Sequence, residues 1–201
     1  MAARRSSLTK QRDAMTDARR CGQHSMEAKN LADLYDLPLV DWSHVETRLA
    51  EGLTQAPDTG GPNRHTVWLA TINSDGSPHV TGVGALWHDR SFWIETGRAT
   101  RKGRNLARDP RCTLSVATHE FDLVVEATAH EVTEPTVVAE MASRWSAEGW
   151  PCRVDQTGLA LTADFSAPSA GPPPWHVYQL VPRAATGLAT AGSGGATRWR
   201  F

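Results

Sequence analysis

The chain has 201 residues, 40% hydrophobic and 21% charged, the composition of an ordinary soluble domain with a sizeable core. A formal net charge of −1 gives no general attraction to nucleic acid or anionic membrane, and no run approaches the ~18 apolar residues of a membrane span. Three scattered cysteines, Cys21, Cys112 and Cys152, lack the spacing of a disulfide framework or a zinc site and fit a reducing cytoplasm.

Charge is unevenly spread. Residues 1–25 hold six basic side chains against two acidic, leaving 15 against 20 in the rest. This stretch has no apolar periodicity and lacks the apolar run of a secretory signal, so residues 1–28 are expected to be a disordered basic tail and 29–201 the folded domain. Asp41 or Ser43 caps a helix whose Val45, Leu49 and Leu53 form an apolar i, i+4, i+8 stripe. Pro57–Pro62 is a connector. Thr66–Ile72 is a β-branched strand, Asn73-Ser74-Asp75-Gly76 a turn, His79–Leu86 the returning strand, and His88-Asp89-Arg90 a second turn before Ser91–Thr96. These three strands read as a meander.

Thr100–Arg108 is a short basic helix stopped by Pro110. Cys112–Ala117 and Leu123–Val132 are strands, and Glu134–Glu148 is a helix with Val138, Met141 and Trp145 on one face. Residues 149–174 form a long Gly/Ala/Pro-containing segment, a candidate lid or surface excursion. Trp175–Val181 and Ala184–Thr190 read as a closing hairpin around Pro182-Arg183, followed by a last strand, Thr197–Phe201. The sum is a mainly β protein with short helices, its antiparallel sheet closing into a small barrel that leaves few free edges.

No HExxH, G-x-S-x-G, P-loop or strand-linked G-x-G-x-x-G occurs, so no self-contained catalytic or metal-binding set is found, no catalytic residue is assigned, and a cofactor must supply the reactivity. Two features bear on which one. In Thr81-Gly82-Val83-Gly84 the glycines share one strand face, which suits either close approach of a flat ring or a bend and tight packing. In Thr100-Arg101-Lys102-Gly103-Arg104-Asn105, Arg101, Arg104 and Arg108 form one helical row, with Lys102 and Asn105 in the next. The Thr100 cap and free amides suit an anion, although a solvated basic helix has the same composition. Lys10, Lys29 and Lys102 are the only lysines, and Lys102 alone lies well inside the folded body.

The ordered run Leu69–Ile72, Asp75–Pro78, Val80–Leu86, Phe92–Ile94, Thr100-Arg101-Lys102-x-Arg104-Asn105-Leu106 and Asp109-Pro110-Arg111, with Trp175–Tyr178 later, resembles the pyridoxamine 5′-phosphate oxidase-like split-barrel family, most of all its branch using the deazaflavin coenzyme F420. The resemblance implies a split β-barrel with a Greek-key-like roll, a cytoplasmic homodimer with cofactor between subunits, and hydride transfer between F420, or alternatively FMN, and a small organic substrate. It lays the ring along Val80–Gly84 and Glu95–Gly97, and assigns cofactor contacts to Val80, Thr81, Gly82, Val83, Thr96, Thr100, Arg101, Lys102, Arg104 and Asn105. Trp175 is added as a ring-stacking candidate ahead of Trp68, Trp87 and Trp93, all of which also suit core positions. His79 and His176 are candidate proton donors or plain hydrogen-bonding groups, and Asp122 and Glu126 share a strand face. The substrate-phosphate contacts of a true pyridoxamine phosphate oxidase are not found. Non-catalytic binding of a flavin or tetrapyrrole is the competing class, since a fold alone does not dictate function.

Overall fold

The computed structural model describes residues 26–52, 66–164, 170–192 and 194–201; residues 1–25 of the expected tail, Leu53 and the Pro57–Pro62 connector lie outside them. In chain order the elements are β1 (Glu27–Asn30), α1 (Trp42–Ala50), β2 (Thr66–Ile72), β3 (Pro78–Gly84), β4 (Leu86–His88), β5 (Ser91–Thr96), α2 (Arg101–Arg108), β6 (Arg111–Ala117), β7 (Phe121–Glu131), α3 (Pro135–Ala147), β8 (Arg153–Val154), β9 (Leu161–Thr162), β10 (His176–Ala189) and β11 (Ala196–Arg200). This is a mainly β fold with short helices. Its large antiparallel sheet runs β1-β11-β10-β7-β6-β2-β3, and β5 leaves that path to pair with both β10 and β4.

Local chemistry accounts for the elements. Asp41 caps α1 by accepting from the Ser43 amide at 3.0 Å. Asp89 and Arg90 both hold positive φ, making the two-residue turn that joins β4 to β5 in the twist a hairpin favours. In β7 the alternation is complete: Phe121, Leu123, Val125, Ala127 and Ala129 are buried on one face. That face closes the main core with Val67, Leu69, Leu114, Phe92, Ile94 and Trp199.

A second core lies beyond β5, where Trp93, Val132, Val138, Met141, Trp145, Trp175 and Val177 pack together. Strand β5 therefore separates two cores and is buried along its whole length. Phe92 and Ile94 point into one, Trp93 into the other. The same alternation sends Glu95 toward the second core and Thr96 toward the first.

Three expectations are corrected. The closing hairpin is instead one strand, β10, carrying a β-bulge between Pro182 and Ala184. A bulge accommodates the proline, which has no amide for the ladder. The hairpin here joins β10 to β11, and the last strand ends at Arg200. The meander is broken at Ala85: β3 pairs with β2, whereas β5 pairs with β4 and β10. The long segment 149–174 carries a small β8–β9 hairpin. Residues Glu27–Asn30 pair with Arg200–Thr197 at the sheet edge.

Candidate cofactor site at the first turn of α2

Strand β3 pairs on one side only, and β5 approaches it without forming a ladder. Helix α2 follows β5 at this seam. Its first turn is pinned by hydroxyls: Thr96 Oγ1 lies 2.9 Å from Thr100 Oγ1, and Thr100 Oγ1 accepts from the Gly103 amide at 3.1 Å. Gly103 is demanded by close packing, because a Cβ there would lie 2.5 Å from the Gly97 carbonyl oxygen and 3.0 Å from that of Arg98. The first turn thus rests directly on the backbone that leaves β5.

The two helical rows part as their spacing predicts. Lys102 and Asn105 are buried, and Arg101, Arg104 and Arg108 are exposed. Asn105 Nδ2 donates to Thr71 Oγ1 at 3.0 Å and Asn73 Oδ1 at 3.1 Å, fastening α2 to β2 and the β2–β3 turn. Arg104 donates to the Ala99 carbonyl and Arg108 to that of Ile72. Arg98 donates to Glu131, which also accepts from the Tyr178 hydroxyl at 3.4 Å. Arg101 stands exposed, near enough to Asp75 and His79 to shift both. Burial, then Arg101 and Lys102, hold His79 below the usual imidazole range.

Lys102 is 3% exposed, and burial lowers its ammonium, a shift opposed by Glu95. The sequence places Glu95 only within the Glu95–Gly97 segment expected along the ring, with no acid–base role. It is 8% exposed, and desolvation pushes its carboxyl from 4.5 up to about 7 despite a bond to its own backbone amide and the nearby Lys102. A carboxyl raised in the folded state binds its proton more tightly there than in the unfolded chain. The resulting destabilisation is complete above about pH 7, shrinks as pH falls and vanishes below 4.5. Glu95→Gln is therefore expected to melt at a higher temperature than the wild type above pH 7, with the gap closing in acid; a constant gap across that window contradicts the assignment.

On β3, alternation divides the expected ring contacts. Val80 and Gly82 face outward, whereas Val83 is 2% exposed in the main core and can offer a ligand only its backbone. Thr81 shares the Val83 face but is only partly buried. Gly82 and Gly84 share the outward face as read, and a Cβ at Gly84 would meet nothing within 4 Å, so tight packing does not account for that glycine. Gly82 lies three residues along β3 from His79, about 10 Å.

Trp175 is not brought to this face. It is fully buried, its Nε1 donates to the Gly171 carbonyl at 2.7 Å, and it packs on Trp150. Trp93 is likewise core, with Nε1 donating to the His88 carbonyl. Trp68, paired with Gly82, is the exposed tryptophan beside the glycines. His176 is buried with Nδ1 3.4 Å from Glu131, outside hydrogen-bond alignment, and burial and Arg98 lower its ionisation. Glu126 binds Arg198 at 2.8 Å, and Asp122 is exposed.

A family model described as pyridoxamine 5′-phosphate oxidase matches residues 53–185, more than half of the chain and the whole of this site. The chain belongs to the pyridoxamine 5′-phosphate oxidase family. A pyridoxine/pyridoxamine 5′-phosphate oxidase of Paraburkholderia phymatum is 30% identical over 179 residues, covering 77% of this chain and 84% of that protein. One of Alkalilimnicola ehrlichii is 29% identical over 156 residues, covering 67% and 79%. The crystal structure of a conserved hypothetical protein of Mycobacterium tuberculosis shares the fold at 21% identity and a TM-score of 0.51, over 76% of this chain and 86% of that one. The chain is thus a member of this flavin-binding split-barrel superfamily, and the family match does not single out the F420-using branch.

Proposed function

We propose that the chain is an FMN-dependent oxidoreductase acting on a small conjugated or aromatic molecule. The observation that carries this is the buried Lys102 on a hydroxyl-capped first turn. A bound flavin supplies hydride transfer, which the side chains here cannot. The phosphate would take Lys102, Arg101 and amides of the first turn. The ring would lie outward along Val80–Gly84, with Trp68 beside it. Three of the four arginines near α2 already donate to groups of the chain itself, namely Arg98, Arg104 and Arg108. Arginines engaged in this way leave little for an acidic oligoglutamyl tail, which suits FMN better than F420. The two relatives, at 29% and 30% identity, are both named as pyridoxine/pyridoxamine 5′-phosphate oxidases, which also favours FMN.

The outward sheet face supports a homodimer. Trp68, Val80, Val124 and Leu188 are between 41% and 57% exposed there. Trp68 and Val124 stand in one row through Ser115. Such exposed apolar side chains, set among Asp122, Glu126 and Ser115, suit a subunit contact, and a partner laid on this face would enclose a ring at Gly82.

Fluorescence titration with FMN and with F420, together with sedimentation analysis, tests this. FMN preference by a dimer is expected. F420 preference would restore the deazaflavin branch, and binding of neither would remove the cofactor assignment. Gly84→Ala adds a sharper test. With open space at its Cβ it should fold as well as the wild type, within about 1 kcal/mol, yet bind the cofactor more weakly by obstructing the ring face. Unchanged affinity would move the ring elsewhere.

A further inference from the structure

A buried carboxylate, Glu95, lies within electrostatic reach of the cation proposed to receive the cofactor's phosphate. Glu95 is the one acidic residue buried among the described residues, and Lys102 is the one buried lysine. They are brought together by the turn from β5 into α2: Thr96, next to Glu95, bonds the Thr100 cap, and Gly103, next to Lys102, packs on the Gly97 and Arg98 carbonyls. Each feels the charge of the other.

We propose that Glu95 takes up a proton when an anionic cofactor docks against Lys102, so that Glu95 sets the pH range in which the cofactor binds. The inference rests on the cofactor reading above. A phosphate arriving at Lys102 adds negative charge beside a carboxylate that is already desolvated, and like charges in a buried site disfavour the ionised form. The cost is avoided by protonation from solvent: one carboxylate becomes a neutral acid, and Lys102 keeps its charge for the phosphate.

The groups facing Glu95 leave few alternatives. From α2 there is Lys102; from the segment after α3 there is the Cys152 thiol, pushed up to about 11 and so neutral; from its own strand there is its backbone amide. Trp93 and Val177 complete the surround as apolar side chains on the same face. Because Glu95 sits at about 7, the uptake falls near neutral pH. Two other groups titrate with binding. His79 faces Arg101 and Lys102 and would gain a proton as the anion offsets them. The phosphate itself, titrating near 6, would lose one, in the opposite direction. Above about pH 8 the phosphate is fully ionised before it binds, which separates its proton from that of Glu95.

The experiment is calorimetric titration of the full chain with FMN, and with F420 in parallel, at about pH 8 in buffers of different ionisation enthalpy, for wild type, Glu95→Gln and His79→Asn. The slope against buffer enthalpy counts protons. The wild type and His79→Asn are expected to take up between half a proton and one, and Glu95→Gln close to none. The wild-type Kd should rise with pH, approaching about tenfold per pH unit, while that of Glu95→Gln stays flat. Equal uptake in wild type and Glu95→Gln would overturn the proposal, as would uptake lost only in His79→Asn. Should Glu95→Gln fail to fold, the wild type decides alone: no uptake at that pH overturns it. Binding without uptake defeats this inference and leaves the cofactor reading intact, whereas no binding of either cofactor defeats both.

Discussion

Lys102→Ala is expected to weaken FMN binding about a hundredfold while leaving the fold intact. A buried ammonium donating to a phosphate makes a charge-assisted hydrogen bond worth about 3 kcal/mol, which corresponds to roughly two decades in Kd. Lys102 is 3% exposed, so its charge is little screened, and among the described residues no other Lys or Arg is buried to that depth. The fold tolerates the change because Glu95 adjusts. Without the nearby ammonium its carboxyl rises above about 7 and stays protonated at neutral pH, so no isolated charge is left buried. Arg104→Ala is the contrast. Its exposed guanidinium serves the Ala99 carbonyl, so its loss should change affinity less than about threefold. Fluorescence titration beside circular dichroism checks both. A Lys102→Ala protein that binds FMN within threefold of the wild type would show that the cofactor tail lies elsewhere.

Gly103→Ala is expected to lose about 3 kcal/mol of stability, the upper part of the range for forcing an atom into packed backbone. The added Cβ would sit 2.5 Å from the Gly97 oxygen, 3.0 Å from the Arg98 oxygen and 3.1 Å from the Arg98 Cα. All three are backbone atoms at the end of a fully buried strand, so relief requires α2 to move as a body. That movement would stretch the Asn105 bonds to Thr71 and Asn73 and carry Lys102 away from Glu95. Cofactor affinity should therefore fall together with the melting temperature. The pairing with Gly84→Ala is diagnostic: one glycine is required by the chain's own packing, and the other is open toward a ligand. Normal melting of Gly103→Ala would mean that the first turn of α2 does not rest on Gly97, and the placement of Lys102 would fall with it.

Much of this was legible along the chain. The alternation in Phe121–Ala129, the Asn73–Gly76 and Asp89-Arg90 turns, the Thr100 cap and the stop at Pro110 are local devices, each set by residues within a few positions of one another. The separation of Lys102 and Asn105 from Arg101, Arg104 and Arg108 follows from helical spacing alone, and the resemblance to the family follows from the order of those same segments.

What the chain could not display locally is which strands meet. Whether Trp175–Thr190 is a hairpin or one bulged strand depends on β5, β7 and β11 lying against it, and Pro182 alone suits either. The second core is equally non-local, because α3, Cys152, Leu161 and Ala170 must pack over β5 before Trp175 is enclosed and Glu95 loses its water. A glutamate between Ile94 and Thr96 has the sequence signature of an ordinary half-exposed strand residue. Only the covering of both faces makes it a desolvated carboxylate beside Lys102. Local sequence therefore determined the elements and the cationic helix of this protein, through steric and hydrogen-bonding preferences that act over a few residues. Tertiary structure decided burial, and with it the electrostatics of the site, because the cost of removing a charge from water depends on distant segments that no local pattern contains.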